Sequence, residues 1–331
     1  MGTVTFFQDL REIKRLEKEL LLTIWDRPQV ALWIKRSTRY LPIIENMLRE
    51  NDMPDDLKYV AIIESALRPH AGSRKGAIGF WQFLKSTGRK YGLKINTEID
   101  ERRNIFTSTQ AAIDYFKALY EMLGSWTLSA AAYNMGELGL QSEMASQKSQ
   151  DYYQLYLPLE TQRYVFRIIA AKMILMDPVR FGFQYTEQDL YPPLAFDRIQ
   201  IECFQDTPIQ IVAQAANTYF KVIKDLNPEL RGHFLAAGTH SLLIPPGSAE
   251  GFDARFKQQF QQWQAKNLER VYVVQKGDSL TDIAERFNVP LPALLIWNRL
   301  DSRKPIHPGD RLVIYPNETL ATQEDPDDRN Q

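Results

Sequence analysis

Cysteine is almost absent from this chain: among 331 residues only Cys203 is one. A single thiol excludes an intramolecular disulfide and any cysteine-built metal centre. It also lies mid-chain, so no cysteine near the start is available for a lipid anchor. Histidine is nearly as scarce. His70, His233, His240 and His307 are scattered without metal-ligand spacing, and there is no HExxH, so no metal or cofactor is expected. Neither sign of charge dominates. The 40 Lys+Arg and 41 Asp+Glu leave a net charge of -1, which favours neither nucleic acid nor an anionic membrane as a partner. No apolar run approaches the ~20 residues that span a bilayer. The opening MGTVTFFQDL has no basic n-region and no long apolar core. The expectation is a protein that stays inside the cell, or one whose leader is not part of this chain. Nucleotide loops are missing too: there is no GxGxxG and no Walker loop, and GSRKG at 72–76 reads as a turn.

What is present is an ordinary globular composition, 44% hydrophobic and 24% charged, with length for two or three domains. Leu10, Ile13, Leu20 and Ile24 keep a helical period, as do Leu41, Ile44 and Leu48. Ile113, Phe116, Tyr120 and Leu123 mark another helix, and Val165, Ile169, Met173 and Met176 a further one. Residues 40–183 therefore read as mainly helical. YPPLAF at 191–196 breaks the pattern. Beyond it, residues 200–245 shifted by 71 fall on the next stretch without a gap. Ala213 meets Ala284, Asn217 meets Asn288, Asn227 meets Asn298, Gly238 meets Gly309 and Pro245 meets Pro316. The register implies one strand-helix-helix-strand unit written twice. In the second copy VYVV is β-rich, QKGD is a turn, and Ser279 is placed to cap the helix SLTDIAERF. Phe252, Phe256, Phe260 and Trp263 share one face of a connecting helix, expected to pack between the two units. The last residues, 318–331, are polar and acidic, and disorder is expected there.

One stretch stands apart: AIIESALRPHAGSRKGAIGFWQF at 61–83. Pro54, Asp55 and Asp56 suit a helix start, and the pattern predicts a helix over about 55–67, ended by Pro69. Leu57, Val60, Ala61 and Glu64 occupy i, i+3, i+4 and i+7, so a carboxyl shares the face that three apolar residues would bury. Desolvation raises the pKa of such a group, and the negative end of the helix raises it further. Both keep a proton on near neutral pH, as a general acid requires. The alternative from the helix alone is pairing with Arg68 or escape to solvent. Downstream, Ser73 and Gln82 offer neutral hydrogen bonds, and Phe80 and Trp81 offer aromatic faces, a set suited to an uncharged sugar. SAAAYNMG at 129–136 adds Tyr133 and Asn134, and LPLETQRY at 157–164 adds Tyr164.

Together these residues resemble the lytic transglycosylases, in particular the membrane-bound type D branch with a soluble-lytic-transglycosylase (SLT) domain. Glu64 and Ser65 match the family's catalytic Glu-Ser pair. Ser73 and the block Gly79, Phe80, Trp81 and Gln82 match its downstream segment, Tyr133 and Asn134 its Ala-Tyr-Asn segment, and Tyr164 its late tyrosine. The pattern departs after Asn134, where Met135-Gly136-Glu137-Leu138-Gly139 displaces a glycine. The second small unit resembles a LysM domain. That resemblance implies a glycan groove between Gly277, Asp278, Ser279 and Leu280 on one side and Pro305, Ile306, His307 and Pro308 on the other. The first unit looks like a decayed copy, with Asp206-Thr207 in place of Gly-Asp and Leu226 in place of the tryptophan, and a spacer role is expected of it.

The resemblance implies a mainly α (α+β overall) architecture. An N-terminal helical segment (1–50) would pack on a lysozyme-like catalytic domain (51–186). A degenerate LysM-like unit (187–247), a connecting helix (248–269), a LysM domain (270–317) and the tail (318–331) would follow. It implies cleavage of the MurNAc-β-1,4-GlcNAc bond of peptidoglycan without water, leaving 1,6-anhydroMurNAc ends. Glu64 would be the single acid/base, and Ser65, Ser73, Gly79, Phe80, Trp81, Gln82, Tyr133, Asn134 and Tyr164 would bind substrate. The implied partners are peptidoglycan strands, with GlcNAc-containing glycan at the LysM unit, and the implied place is the periplasm or cell envelope. Two readings compete. A hydrolase would need a second carboxylate, for which Asp100, Glu101, Glu137 and Glu160 are candidates. A wall-binding scaffold would need only the LysM unit.

Overall fold

The computed structural model describes residues 9–268, 271–302 and 305–315, with the backbone alone for 266–268. The expectations for residues 1–8, for Pro316 and for the tail from 318 lie outside the described residues. Two compact units emerge. The first runs to Phe196 and takes in Lys224–Gly232; the second holds Asp197–Ile223 and the chain from His233 onward.

The first unit is helical. It holds α1 (Leu10–Trp25), α2 (Arg27–Glu50), α3 (Lys58–Ser65), α4 (Lys85–Lys90), α5 (Ile105–Leu123), α6 (Trp126–Met135), α7 (Glu137–Gln147) and α8 (Leu159–Met176). Local chemistry sets several starts. Asp9 caps α1, Asp26 caps α2 and Asn104 caps α5, each accepting a first-turn N–H. α2 buries Val30, Trp33, Ile34, Leu41, Ile44 and Leu48, a stripe at helical spacing. α3 packs on α2 and α8 and buries Tyr59, Val60, Ala61, Ile62 and Ile63. Full burial of a large aliphatic side chain stabilises by about 1.5–3 kcal/mol, which is why this short helix holds its place. Its core continues through Phe80, Trp81, Phe116, Phe166 and Ile174.

α3 ends two residues earlier than its sequence pattern predicts. Ala66 and Leu67 are left-handed, at φ 53 and 57, so Ser65 is the last helical residue. That conformation costs about 1–2 kcal/mol for a residue with a Cβ. Leu67 is fully buried and the Ala66 N–H still closes on the Ile62 carbonyl at 2.8 Å, which offsets the cost.

In the second unit β1 (Asp197–Cys203) and β2 (Thr207–Pro208) precede α9 (Ile209–Ala215) and α10 (Phe220–Leu226), whose last residues fall to the first unit. β3 (Phe234–Leu235) and β4 (Gly238–Ile244) follow. β1 pairs antiparallel with β4, Asp197 opposite Ile244 and Cys203 opposite Gly238, and β2 pairs with β3. α11 (Phe252–Leu268) leads to β5 (Val271–Val273), α12 (Leu280–Arg286), α13 (Leu291–Asn298) and β6 (Arg311–Val313), with β5 and β6 antiparallel. The repeat register holds. The same shift carries the first residue of α9 onto that of α12, and the first of α10 onto that of α13. Asn217 and Asn288 are both left-handed, at φ 51 and 50, and Gly238 and Gly309 both have positive φ, 131 and 97. Asparagine tolerates the left-handed region better than other residues with a Cβ, so the shared residue type is explained by the shared backbone. On α11 the rings of Phe252, Phe256, Phe260 and Trp263 form a continuous ladder with centroids 5.6–6.1 Å apart.

Candidate active site

Glu64 stands on the last turn of α3, half-buried, facing α8 and α6. The Tyr164 hydroxyl of α8 donates to its Oε1. Burial pushes the Glu64 carboxyl up to about 7; the Tyr164 bond and the Arg167 charge hold it down in part, and Glu160 adds to the rise. Arg167 donates to the Ile63 carbonyl at 3.3 Å, so this guanidinium is fixed beside the carboxyl rather than paired with it. Arg68 donates to the Ser65 carbonyl at 3.1 Å, so the alternative Glu64–Arg68 ion pair does not form.

Hydrogen bonds gather the other elements. The Ser65 hydroxyl donates to the Phe80 carbonyl at 2.8 Å and to the Ala61 carbonyl at 3.0 Å. The Tyr133 hydroxyl of α6 donates to the Trp81 carbonyl at 2.6 Å, and its ring stacks on Phe116 at 4.7 Å. Thr161 of α8 donates to Asn134 Oδ1 at 2.8 Å. The residues around 64, 80–82, 133–134 and 161–164 thus form one cluster. Tyr133 and Tyr164 are both held well above the ordinary phenol pKa, by burial first and the Glu64 charge second, so both remain neutral donors.

The loop across from Glu64 is built on an arginine. Arg102 donates to the carbonyls of Gly76 at 3.0 Å and Phe83 at 3.1 Å, while Asp100 grips it with two bonds of 2.8 Å. Burial pushes the Asp100 carboxyl up, but the Arg102 bonds outweigh it and hold the group below its usual range. Gly79, at φ +87, lies so close that a Cβ would sit 1.7 Å from the Arg102 carbonyl oxygen. Gln82 is left-handed, at φ 50, and gives its amide hydrogens to the carbonyls of Ala71 (3.1 Å) and Gly79 (2.9 Å). Its carbonyl oxygen is left as an acceptor. Asn134 is the complement: with its oxygen taken by Thr161, the amide hydrogens are left to donate. Ser73 sits in the exposed turn, its Oγ accepting from the Ala77 N–H at 3.1 Å.

Three expected substrate residues lie in this cluster with their side chains buried. Ser65 is 2% exposed with its hydroxyl engaged by backbone. Phe80 and Trp81 are each 1% exposed, so neither ring face is open to a sugar. The physical reason is the indole N–H, which needs a partner inside and finds Thr109 Oγ1 at 2.9 Å, locking the ring into the core. The sequence reading missed Thr161 and Arg167, the polar residues on the Tyr164 face of α8. Their spacing of three from Tyr164 on either side was the available signal. It also missed Trp33. This residue lines a groove of about 510 Å³ together with Gln29, Glu160, Arg163 and Arg167, and its buried indole N–H has no protein partner.

Of the candidate second carboxylates, Asp100 is tied to Arg102, Glu101 accepts the Lys94 N–H at 2.6 Å, and Glu137 accepts from Tyr115 at 2.8 Å. Glu160 is exposed and is the one of the four felt by Glu64. In the last small unit the segments next to the two expected rims are joined by backbone hydrogen bonds. Val274 donates to the Asp310 carbonyl at 2.8 Å, and Gly309 donates to the Val274 carbonyl at 2.9 Å. Gly277 takes φ +96, and Ser279 caps α12. Leu280 and Ile306 pack on the small core, while Pro305, His307 and Pro308 are exposed. Asp278 is internal to its turn, accepting from Tyr272 at 2.6 Å and from the Gln275 N–H at 2.7 Å. In the first copy of the repeat Asp206 is paired with Arg299 of the second.

Residues 42–156 match the transglycosylase SLT domain and residues 272–314 match the LysM domain. Fold and site thus define a modular chain with a helical SLT domain and a C-terminal LysM domain. The chain is 33% identical over 295 residues to the membrane-bound lytic murein transglycosylase D of Escherichia coli K12, with the same figures for the protein of a uropathogenic E. coli strain. The chain thus carries an SLT domain and a LysM domain and is related to this transglycosylase over most of its own length. The matched region covers 84% of the chain and 64% of those relatives, so the chain spans a little under two thirds of their length. Among solved structures it is similar to the 70 kDa soluble lytic transglycosylase SLT70 of E. coli. There the identity is 18%, 46% of this chain and 26% of that chain are covered, and the TM-score is 0.36. An inactive mutant of the lytic transglycosylase Slt from Pseudomonas aeruginosa is similar at 18% identity, with 47% and 26% coverage and a TM-score of 0.32. Both likenesses are too loose to carry the fold by themselves.

Proposed function

We propose that this protein is a lytic transglycosylase of peptidoglycan, cutting the MurNAc-β-1,4-GlcNAc bond with Glu64 as its single acid/base. The observation that carries this reading is the half-buried Glu64 carboxyl, pushed up to about 7 and held by the Tyr164 hydroxyl. Protonated Glu64 donates to the glycosidic oxygen as the bond breaks. Positive charge develops on the muramyl ring. Glu64, now a carboxylate, accepts the proton of the C6 hydroxyl, and that oxygen closes on C1 to leave a 1,6-anhydro end. The nucleophile is part of the substrate, so one carboxylate serves both steps and the attack is intramolecular. Gln82 Oε1 as acceptor and the Asn134 amide as donor suit the N-acetyl group and hydroxyls of the sugar. Trp33, Arg163 and Arg167 extend the binding surface along the groove.

The domain order inferred from sequence belongs to the same proposal: catalytic domain first, then a decayed LysM-like spacer, then the LysM domain. There the rims at 277–280 and 305–308 take a GlcNAc-containing strand, with Gly277, Ser279, Pro305, His307 and Pro308 exposed to it. The place of action follows from the substrate: the periplasm or cell envelope. No described helix is long and apolar enough to cross a membrane.

Mass spectrometry of products from purified peptidoglycan tests the chemistry, with Glu64→Gln beside the wild type. Anhydromuramyl ends, one water lighter than reducing ends and absent from the variant, are expected. Reducing ends would mean that water attacks, and Glu160 would become the second carboxylate to remove, since Glu64 feels its charge. No products from the wild type would leave a wall-binding scaffold.

A further inference from the structure

The first unit contains a second cavity, of about 540 Å³, lined by Arg36, Arg39, Tyr40, Arg68, His70 and Tyr191 among others. Two chain features create it. On α2, Arg36, Arg39 and Tyr40 stand at i, i+3 and i+4 and so share a face. After α3 the left-handed pair Ala66 and Leu67 turns the chain back and brings Arg68 to the same hollow.

The three guanidiniums are only partly committed. Arg36 donates once, to the Ala66 carbonyl at 3.1 Å, and Arg68 once, to the Ser65 carbonyl at 3.1 Å. Those bonds cap the carbonyl end of α3, a structural duty that uses one of the five donors on each side chain. The Arg39 side chain makes no hydrogen bond or ion pair among the described residues; it leans over the Tyr40 ring at 5.7 Å. No described carboxylate pairs with any of the three. Burial pushes the Arg36 pKa down, Tyr191 opposes this, and the neighbouring Arg68 charge adds to it. At the rim, His70 meets Arg103 at 3.1 Å and feels Lys224 and, in the other sense, Asp225. A partly buried hollow with three converging cations and free fork-shaped donors is built for oxyanions.

We propose that this pocket receives the carboxylates of the stem peptide borne by the glycan strand. The proposal rests on the glycan-cleaving reading above. Three observations choose a peptide over a lone oxyanion. The volume lies within the about 300–1,000 Å³ of small-molecule sites, far more than one anion fills. Leu67, Pro69, Ala71 and Pro192 line the same walls and suit aliphatic peptide parts. The pocket begins at Leu67 and Arg68, on the turn that ends α3, the helix that carries Glu64, so it is built on the same element as the carboxyl.

Two measurements test it on the full chain. In the first, a free stem tetrapeptide is titrated calorimetrically. Arg39→Gln and Arg68→Gln are each expected to weaken binding about tenfold, as is amidation of the peptide carboxyls. Arg39→Gln removes no hydrogen bond or ion pair among the described residues and leaves the bonds that cap α3 in place, so it separates lost binding from lost structure. Undiminished binding of the amidated peptide, binding unmoved by Arg39→Gln, or inorganic phosphate binding as tightly as the peptide would each overturn the proposal. In the second, kcat/KM on peptide-bearing strands is divided by kcat/KM on strands stripped of peptides. Arg39→Gln should lower this ratio about tenfold; an unchanged ratio overturns it. If the wild type cuts neither glycan, the cleavage reading falls, while the titration still decides whether the pocket holds the peptide.

Discussion

At the scale of single residues the proposed chemistry turns on where Glu64 keeps its proton. With its pKa near 7, the carboxyl is protonated over the acid half of the physiological range. kcat/KM should therefore fall as pH rises through about 7, and Glu64→Gln should lose roughly 10²–10⁴ in kcat. Tyr164→Phe removes a bond that favours the charged form. Its alkaline limb should move above 7, with kcat down about tenfold; a limb moving lower in pH–rate profiles would contradict this assignment. The same proton bears on stability. The folded pKa of about 7 lies above the ordinary 4.5, so the folded chain retains a proton that the unfolded chain releases. The stability linked to it is fully present below about pH 4.5 and lost as pH rises through 7. Glu64→Gln should thus exceed the wild type by on the order of 2–3 kcal/mol at pH 8.5, with the difference gone near pH 4.5, in urea unfolding at the two pH values.

At the scale of elements, the loop at 71–83 is pinned through its backbone, whose Gly76 and Phe83 carbonyls accept from Arg102. Gly79→Ala would drive a Cβ into the Arg102 carbonyl and add a side chain at φ +87. A loss of about 3 kcal/mol or more is expected in thermal or urea melts, together with loss of activity. Most elements were legible beforehand because their burial is periodic: the stripes of α2, α5 and α8 show in sequence. The end of α3 was not. Nothing local distinguishes Ala66 and Leu67 as left-handed, and only the burial of Leu67 and the turn toward Arg36 make that conformation stable. Trp81 misled for a similar reason. An aromatic beside glycines resembles a sugar platform until Thr109, far along the chain, accepts its N–H.

At the scale of the molecule, the SLT domain and the LysM domain occupy separate parts of the chain, so the proposed catalysis and tethering can be tested apart. Deleting residues 271–331 should weaken pelleting with insoluble peptidoglycan while leaving cleavage of soluble fragments nearly unchanged, because a tether raises local concentration without touching the chemistry. Equal pelleting would remove the anchoring role. By itself the sequence determined the helical class, the repeat with its shift register, and the carboxyl on an apolar face. Each follows from periodicity, or from residue types that particular backbone conformations demand. Only the tertiary structure decided which polar groups are free. It turned Ser65 and Asp278 inward, left one acceptor on Gln82 and one donor on Asn134, and drew Arg36, Arg39 and Arg68 around one hollow. The reason is that a polar atom's availability depends on which partners the fold brings within hydrogen-bond reach, and those partners are distant in sequence.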